Sequence, residues 1–283
     1  MADQIVTRFA PSPTGYLHLG HAHSALDAWR RAAESGGRFI LRLEDIDSGR
    51  SKPEFEEAIY EDLAWLGLAW ELPVRRQSDH MDDYAAALAR LESAGMIYPC
   101  FCTRGVIKAE IERMGGAPHP GEGGAIYPGT CRLLTDEQRA ERLAAGTEHA
   151  LRLDMERAIN KVGALRWHDE GRGDMAVDAG RHGDVVLARK DIPSSYHLAV
   201  TIDDDLQGIT LVTRGNDLVS FTDIHRVLQA LLGLNVPLYH HHKLLTDNEG
   251  RRLAKRDQSI TLRAFRAAGR SAEEVRAMAG FRD

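Results

Sequence analysis

The sequence predicts an α/β fold built on a parallel sheet and interrupted by a long insertion. Two observations carry this. The first fifty residues read strand, turn, helix, strand, the order of a parallel crossover unit. Regular strand and helix patterns then lapse after about residue 95 and return only after about residue 190. A length of 283 residues allows one large domain or two small ones. With 43% apolar and 28% charged residues the chain can bury a core and is not a disordered one. No run approaches the eighteen or more apolar residues of a membrane span. The N-terminus carries Asp3 and no apolar stretch, so it is not a secretory signal. Three cysteines, with only Phe101 between Cys100 and Cys102, do not make a disulfide scaffold and suggest a reducing cytoplasm.

The elements follow in order. Ile5 to Phe9 alternates as a strand and is stopped by Pro11, Pro13 and Gly15. Ala22 to Glu34 is rich in helix formers, with Ala25, Leu26, Trp29 and Ala33 spaced for one buried face, and Gly36-Gly37 ends it. Arg38 to Leu43 reads as a second, mostly buried strand. Pro53 opens a helix that buries Phe55, Ile59, Leu63 and Leu66, and Met81 to Ala94 forms another around Tyr84, Leu88 and Leu91. Residues 95–190 look like the insertion, with a Gly/Pro-rich stretch from Gly115 to Gly129 and one periodic segment, Thr135 to Ala145. Tyr196 to Asp203 and Ile209 to Arg214 read as two strands joined at Asp203-Asp204-Asp205. A helix over Phe221 to Leu232 follows, with Ser220 or Thr222 as its cap.

One segment carries most of the chemistry: Arg8-Phe9-Ala10-Pro11-Ser12-Pro13-Thr14-Gly15-Tyr16-Leu17-His18-Leu19-Gly20-His21. A strand runs through a Pro/Gly turn into a helix start. Gly20 allows a base or sugar close to the backbone. The helix N-terminus directs N–H groups toward an anion, and two histidines three apart share a helical face and can donate to phosphate oxygens. His-x-x-His also occurs on plain surfaces and in zinc sites. His240, His241 and His242 lie on one strand, where neighbours point to opposite faces, so the three cannot share one ion. Cys100, Cys102 and Cys131 invite zinc, which wants a fourth ligand; His119 is the ordinary chemical candidate, and three buried thiols without metal are the alternative. The net charge is −6, yet residues 251–283 hold nine Lys/Arg against four acids, a +5 tail where phosphate contact and salt-sensitive nucleic-acid binding are expected.

The segment Arg8 to His21 resembles the His-Ile-Gly-His signature of class I aminoacyl-tRNA synthetases in its glutamyl form, and Leu41-Arg42-Leu43-Glu44-Asp45-Ile46-Asp47 resembles the same family's second strand. Arg252-Leu253-Ala254-Lys255-Arg256 resembles the family's Lys-Met-Ser-Lys-Ser loop, with Arg252 in place of the first Lys and Ala254 in place of the Ser. It follows Tyr239 to Leu245 and a turn at Asp247 to Gly250, the family's order. The resemblance implies a Rossmann-like nucleotide-binding domain in two halves, 1–94 and 191–283, around an inserted acceptor-type subdomain, 95–190. It also implies no anticodon-binding domain, since only 28 residues follow Lys255. Truncated family members of this kind, the glutamyl-queuosine tRNA(Asp) type, join glutamate to the wobble queuosine of tRNA(Asp).

By this resemblance the chain is an ester-forming ligase. His18, His21 and Lys255 would be catalytic and, with Gly20, bind ATP and its Mg²⁺. Arg8, Phe9, Ala10, Pro11, Ser12, Glu44, Tyr196 and Arg214 would bind L-glutamate. Two carboxylates and one ammonium need guanidinium forks and an acid, which this set supplies. Cys100, Cys102, Tyr127 and Cys131 would hold one structural Zn²⁺. A cytoplasmic monomer without a membrane partner is expected. Three other readings stay open: a short glutamyl- or glutaminyl-tRNA synthetase charging a tRNA 3′ end, an amino-acid ligase with a small acceptor, and a paralogue without chemistry.

Overall fold

The computed structural model describes residues 4–113, 126–245 and 260–282. Its first unit is the expected crossover: β1 (Val6–Phe9), α1 (Leu19–Glu34) and β2 (Arg38–Leu43). The strands pair in parallel, from Val6 opposite Arg38 to Phe9 opposite Leu41. Helix α1 packs closely because its inner face is small: Ala22, Ala25, Ala28 and Ala32 are buried beside Leu26. It starts three residues before the expected Ala22, because His18 caps it. The helix α2 (Pro53–Trp65) takes Pro53 in its first turn and buries Ile59 and Leu63 in the same core as α1. A short β3 (Arg75–Arg76) adds to β2 in parallel, and α3 (Met81–Ser93) follows as expected.

The expected insertion proves more regular and less separate. It contains β4 (Ile97–Cys100), α4 (Arg104–Arg113), α5 (Asp136–Ala144), β5 (Ala150–Leu153), α6 (Met155–Val162), β6 (Arg166–Asp169), β7 (Gly173–Ala176) and β8 (Val186–Ala188). Helix α5 matches the one periodic segment, with Thr135 as its cap. Helices α4 and α6 are additions to the sequence reading. α6 has only eight residues, too short to repeat a pattern, and depends on the Asp154 side chain accepting from Arg157 N–H. Strands β4, β5 and β8 form a small antiparallel sheet. The β6–β7 hairpin does not join it. β6 pairs in parallel with the strand at Tyr239, opposite Asp169, so part of 95–190 is built into the sheet that also holds that strand.

The last part holds α7 (Tyr196–Leu206), β9 (Leu211–Gly215), α8 (Phe221–Leu232), β10 (Leu238–His242), α9 (Leu262–Ala267) and α10 (Ala272–Met278). The expected strand from Tyr196 to Asp203 is a helix. Ser195 caps it, its Oγ accepting from Leu198 N–H at 3.4 Å. The acids expected in a turn sit in its last turn, where the helix dipole disfavours them. Three guanidiniums offset that cost: Arg42 and Arg75 reach Asp203, and Arg8 and Arg42 reach Asp204. The chain turns later, at Gly208, with φ +63°. Helix α8 is as expected, but neither proposed cap acts: the Ser220 side chain makes no cap bond, and the Thr222 hydroxyl instead accepts from Arg214 at 2.6 Å.

Strands β9 and β10 pair in parallel, from Leu211 opposite Leu238 to Gly215 opposite His242. Thr210 N–H donates to Val6 O at 3.0 Å and Val6 N–H to Thr210 Oγ1 at 2.8 Å, which seats β9 beside β1. The strand order across both groups is therefore β3–β2–β1–β9–β10–β6–β7, and only β7 is antiparallel. From β1 the chain winds outward through α1 in one direction; from β9 it winds through α8 in the other. In such a sheet a ligand crevice opens beyond the strands' carboxyl ends where the winding reverses.

Candidate active site

A cavity of about 570 Å³ opens at that point, between β1 and β9. Eleven of the expected site residues line it: Arg8, Phe9, Ala10, Pro11 and Ser12 from β1 and its loop, His18, Gly20 and His21 from the start of α1, Glu44 after β2, Tyr196 at the start of α7, and Arg214 in β9. Lys255, with Arg252 and Ala254, and His119 lie outside the described residues. The chain on either side of the Lys255 segment returns to this place. Leu245 lines the cavity, and Thr261 bridges to His18 while Leu262 N–H donates to Leu17 O at 2.8 Å.

The two motif histidines lie side by side at the helix start, but only His21 is helical. His18 precedes the helix in extended conformation, φ −129° and ψ 177°, and caps it. Its Nδ1 accepts from Gly20 N–H at 3.1 Å, and His21 Nδ1 accepts from His18 N–H at 3.2 Å. Each neutral ring therefore carries its proton on Nε2. The rings lie 3.9 Å apart. Gly20 leaves room for this: a Cβ there would stand 3.0 Å from His18 Cε1 and press on the ring.

Arg214 is held on every side. Its Nε donates to His241 Nε2 at 3.1 Å, NH1 to Tyr196 Oη at 3.4 Å and to His225 Nδ1 at 3.3 Å, and NH2 to Thr222 Oγ1. These contacts set two tautomers. His241 accepts on Nε2, so its Nδ1–H donates to Asp169 Oδ2 at 2.6 Å. His225 accepts on Nδ1, so its Nε2–H donates to His197 Nδ1 at 3.2 Å. Burial and the nearby Arg214 charge lower His241 to about 4 and hold His225 well below its ordinary value, so both rings stay neutral.

Arg8 and Glu44 belong to a buried ion network that the sequence did not reveal. Arg8 Nε donates to Asp204 Oδ1 at 2.9 Å and its NH1 to Thr213 O at 3.1 Å. Arg42, fully buried, lies 2.9 Å from Asp204, 3.4 Å from Glu44 and 3.7 Å from Asp203. Asp203 also accepts from Arg75, Gln77 and Tyr84. Glu44 is 10% exposed, and burial pushes its carboxyl up to about 7 against the pull of Arg42 and Arg8. The supporting residues Arg42, Asp169, Asp204, Thr222, His225 and His241 come from five separate elements, so no local pattern marks them. The adjacent acids 203–205 were the one visible signal, and they read as a turn. The three histidines of β10 do alternate: His241 faces Asp169 and Arg214, while His240 meets Arg31 and His242 meets Ser24 on the α1 side.

Away from the cavity, the sulfurs of Cys100, Cys102 and Cys131 lie within 4.8 Å of one another. Tyr127 Oη is 3.5 Å from Cys102 Sγ and accepts from Cys131 N–H at 2.8 Å. Four donors from two segments thus converge in a buried cluster with Tyr98 and Phe101. Thiolates at tetrahedral zinc stand about 3.8 Å apart, and Cys102 and Cys131 are 3.4 Å apart. The donor set fits a four-coordinate zinc.

Residues 4–279 match the family model described as "tRNA synthetases class I (E and Q), catalytic domain". The chain is 48% identical to the glutamyl-Q tRNA(Asp) synthetase of Rhodobacter capsulatus, across 98% of this chain and 100% of that protein. It is 42% identical to the glutamyl-Q tRNA(Asp) synthetase of Nitratidesulfovibrio vulgaris, across 95% of this chain and 83% of that one. The crystal structure of glutamate-tRNA synthetase from Elizabethkingia anophelis superposes with a TM-score of 0.77 at 31% identity. That match covers 90% of this chain and 53% of the other, so this chain spans about half the length of that solved relative. Among the described residues no helix is long and apolar enough to cross a membrane.

Proposed function

The chain belongs to the class I tRNA synthetases of the E and Q type, and on that premise we propose that it activates L-glutamate with ATP and esterifies queuosine in tRNA(Asp). One observation carries the reading: two buried guanidiniums, one acid and a histidine pair at a helix N-terminus line a single cavity at the sheet's switch point. Arg8 and Arg214 receive the substrate side-chain carboxylate. Glu44, with Tyr196 beside it, accepts from the α-ammonium, and Phe9, Ala10, Pro11 and Ser12 shape the wall. ATP lies over Gly20 with its phosphates toward α1.

In the first step an α-carboxylate oxygen of glutamate forms a bond to the α-phosphorus. The bond to the β-phosphate breaks, and pyrophosphate leaves with the electron pair. His18 and His21, protonated on Nε2, and Lys255 of the second signature donate to the phosphate oxygens as charge builds there. Catalysis is by position and electrostatics. Mg²⁺, when bound, neutralises phosphate charge. In the second step a hydroxyl of the queuosine cyclopentenediol bonds to the activated carbonyl carbon. AMP departs with the C–O electron pair and takes up the hydroxyl proton on a phosphate oxygen. Labelled glutamate given to tRNA(Asp) with and without queuosine tests the reading. Label only on the queuosine form is expected; equal label on both overturns the acceptor.

Glu44 must be ionised to hold the ammonium, and its carboxyl titrates at about 7. The KM for glutamate is therefore expected to rise as pH falls below 7, toward about tenfold per pH unit, while Glu44→Gln shows a high, pH-flat KM. Fold stability moves the opposite way. A carboxyl raised in the folded state takes up protons before the unfolded chain does, so this group adds stability as pH falls from about 7 to 4.5. A KM unchanged between pH 8 and 6 would remove Glu44 from the ammonium site.

Cys100, Cys102, Tyr127 and Cys131 would hold one structural Zn²⁺, which would tie the end of β4 to the segment 127–131 and leave no open position for catalysis. Metal analysis of the purified protein is expected to find about one zinc per chain. Tyr127→Phe should retain less under chelator challenge; equal retention would assign the fourth position elsewhere.

A further inference from the structure

Helices α9 and α10 are built into the core beneath the histidine motif. Leu262, Phe265, Val275 and Ala279 are buried there with residues of α1 and α2, Leu26, Ile59 and Leu63 among them. From this seat the pair grips the entry and first turns of α1. Leu262 N–H donates to Leu17 O at 2.8 Å, and Thr261 bridges to His18. Arg263 NH1 donates to Tyr16 Oη at 2.8 Å. His23 Nδ1–H donates to Ala279 O at 2.8 Å, and Phe281 packs against the same ring at 5.3 Å. His18 and His23 both line the cavity. A change in the seating of α9–α10 therefore reaches the cavity wall through backbone bonds and one ring.

Asp62 lies in the seam where α9 packs on α2. Its side chain is fully buried, and neither carboxylate oxygen has a hydrogen-bond partner among the described residues. The charged groups around it are Glu61, beside it on α2, and Arg263 and Arg266 on α9. Arg266 is the near one, but its NH2 donates to Glu61 Oε2 at 2.8 Å and stands 3.6 Å from Asp62 Oδ1. The guanidinium is thus committed to the outer acid, and the inner one is neither hydrated nor bonded. Burial accordingly pushes the Asp62 carboxyl up from 3.8 to about 6, against the pull of Arg266. Lifting α9 off α2 would return it to water and to its ordinary range.

We propose that α9–α10 is a latch whose seating holds His18 and His23 in the cavity wall for the nucleotide, and that negative charge on Asp62 loosens it. The proposal rests on the ATP placement above and not on the acceptor. The seated form has the higher proton affinity. Its gain from protonation is full below 3.8 and is lost as pH rises through about 6. ATP lying against His18 and His23 favours the seated form in turn, so nucleotide and proton act in the same direction.

Amide hydrogen exchange of the whole chain tests this, read on peptides within 262–279 relative to α3 and corrected for the intrinsic rate at each pH. In the parent protein the relative protection should rise about tenfold from pH 7.5 to pH 5. Asp62→Asn and Asp62→Leu, which cannot ionise, should change less than about twofold over that range, while α3 stays as protected as in the parent and so reports an intact fold. An equal rise in both variants, or a parent whose tail follows α3 at every pH, overturns the role of Asp62. Saturating MgATP, with saturation shown by glutamate-dependent pyrophosphate exchange, should raise the tail's protection at pH 7.5 about fivefold or more. Protection that MgATP leaves unchanged overturns the latch. Absence of pyrophosphate exchange by the parent protein is a separate result: it sinks the ATP placement and the nucleotide coupling with it.

Discussion

Replacing Arg214 by leucine is expected to lower kcat/KM for glutamate in pyrophosphate exchange by about 10²–10³-fold. The guanidinium is buried beside the cavity and is aimed by four neighbours, His241, Tyr196, His225 and Thr222. Its loss removes charge-assisted bonds to the substrate carboxylate and leaves those four groups without their shared donor. Most of the effect should appear in KM, because the carboxylate it meets does not change during the reaction. Asp169→Asn separates aiming from contact. Asp169 accepts from His241 Nδ1–H, which keeps Nε2 as an acceptor for Arg214. An amide can present its N–H to Nδ1 and turn the imidazole to the other tautomer, so Nε2–H would face the guanidinium. A KM increase smaller than that of Arg214→Leu, with kcat little changed, is expected. An Arg214→Leu protein within threefold of the parent would show that the carboxylate is bound elsewhere.

The largest effect on stability is expected from Arg42→Met, a loss of about 3–5 kcal/mol in urea unfolding. Arg42 is fully buried and lies within reach of three acids, Glu44, Asp203 and Asp204. Burial alone would lower its pKa, but those acids raise it above the ordinary value, so it remains charged. Methionine fills similar space and leaves the acids with less compensation in a medium that penalises their charge. Adding Asp204→Asn to Arg42→Met should recover part of the loss, because it removes one of the stranded charges. A single-variant cost below about 1 kcal/mol would mean that water reaches the acids.

The same network explains how far the sequence could be read. The β1–α1–β2 crossover was legible because its signals are local: a proline turn, an alanine-rich face and a Gly-Gly stop. The histidine motif was legible in position but not in posture. A capping box depends on which backbone N–H groups are unpaired, and that moved His18 off the helix and onto its end. Helix α7 was misread because its last turn carries Asp203 and Asp204, which locally favour a turn. Only Arg8, Arg42 and Arg75, distant in sequence, make a helix tolerable there. The β6–β7 hairpin was assigned to the insertion because nothing within it announces that Asp169 pairs beside Tyr239.

By itself the sequence determined which reactive side chains are present, the two signatures that bracket them and the elements that carry most of them. Capping, turn chemistry and short apolar periods act over a few residues and can be read there. The tertiary structure alone decided what those side chains are in the folded protein: an Arg8 partly committed to Asp204, an Arg214 aimed by neutral histidines, and a Glu44 that titrates at about 7. Desolvation and the fields of distant charges set these states, and both exist only after segments far apart in the chain have excluded water together.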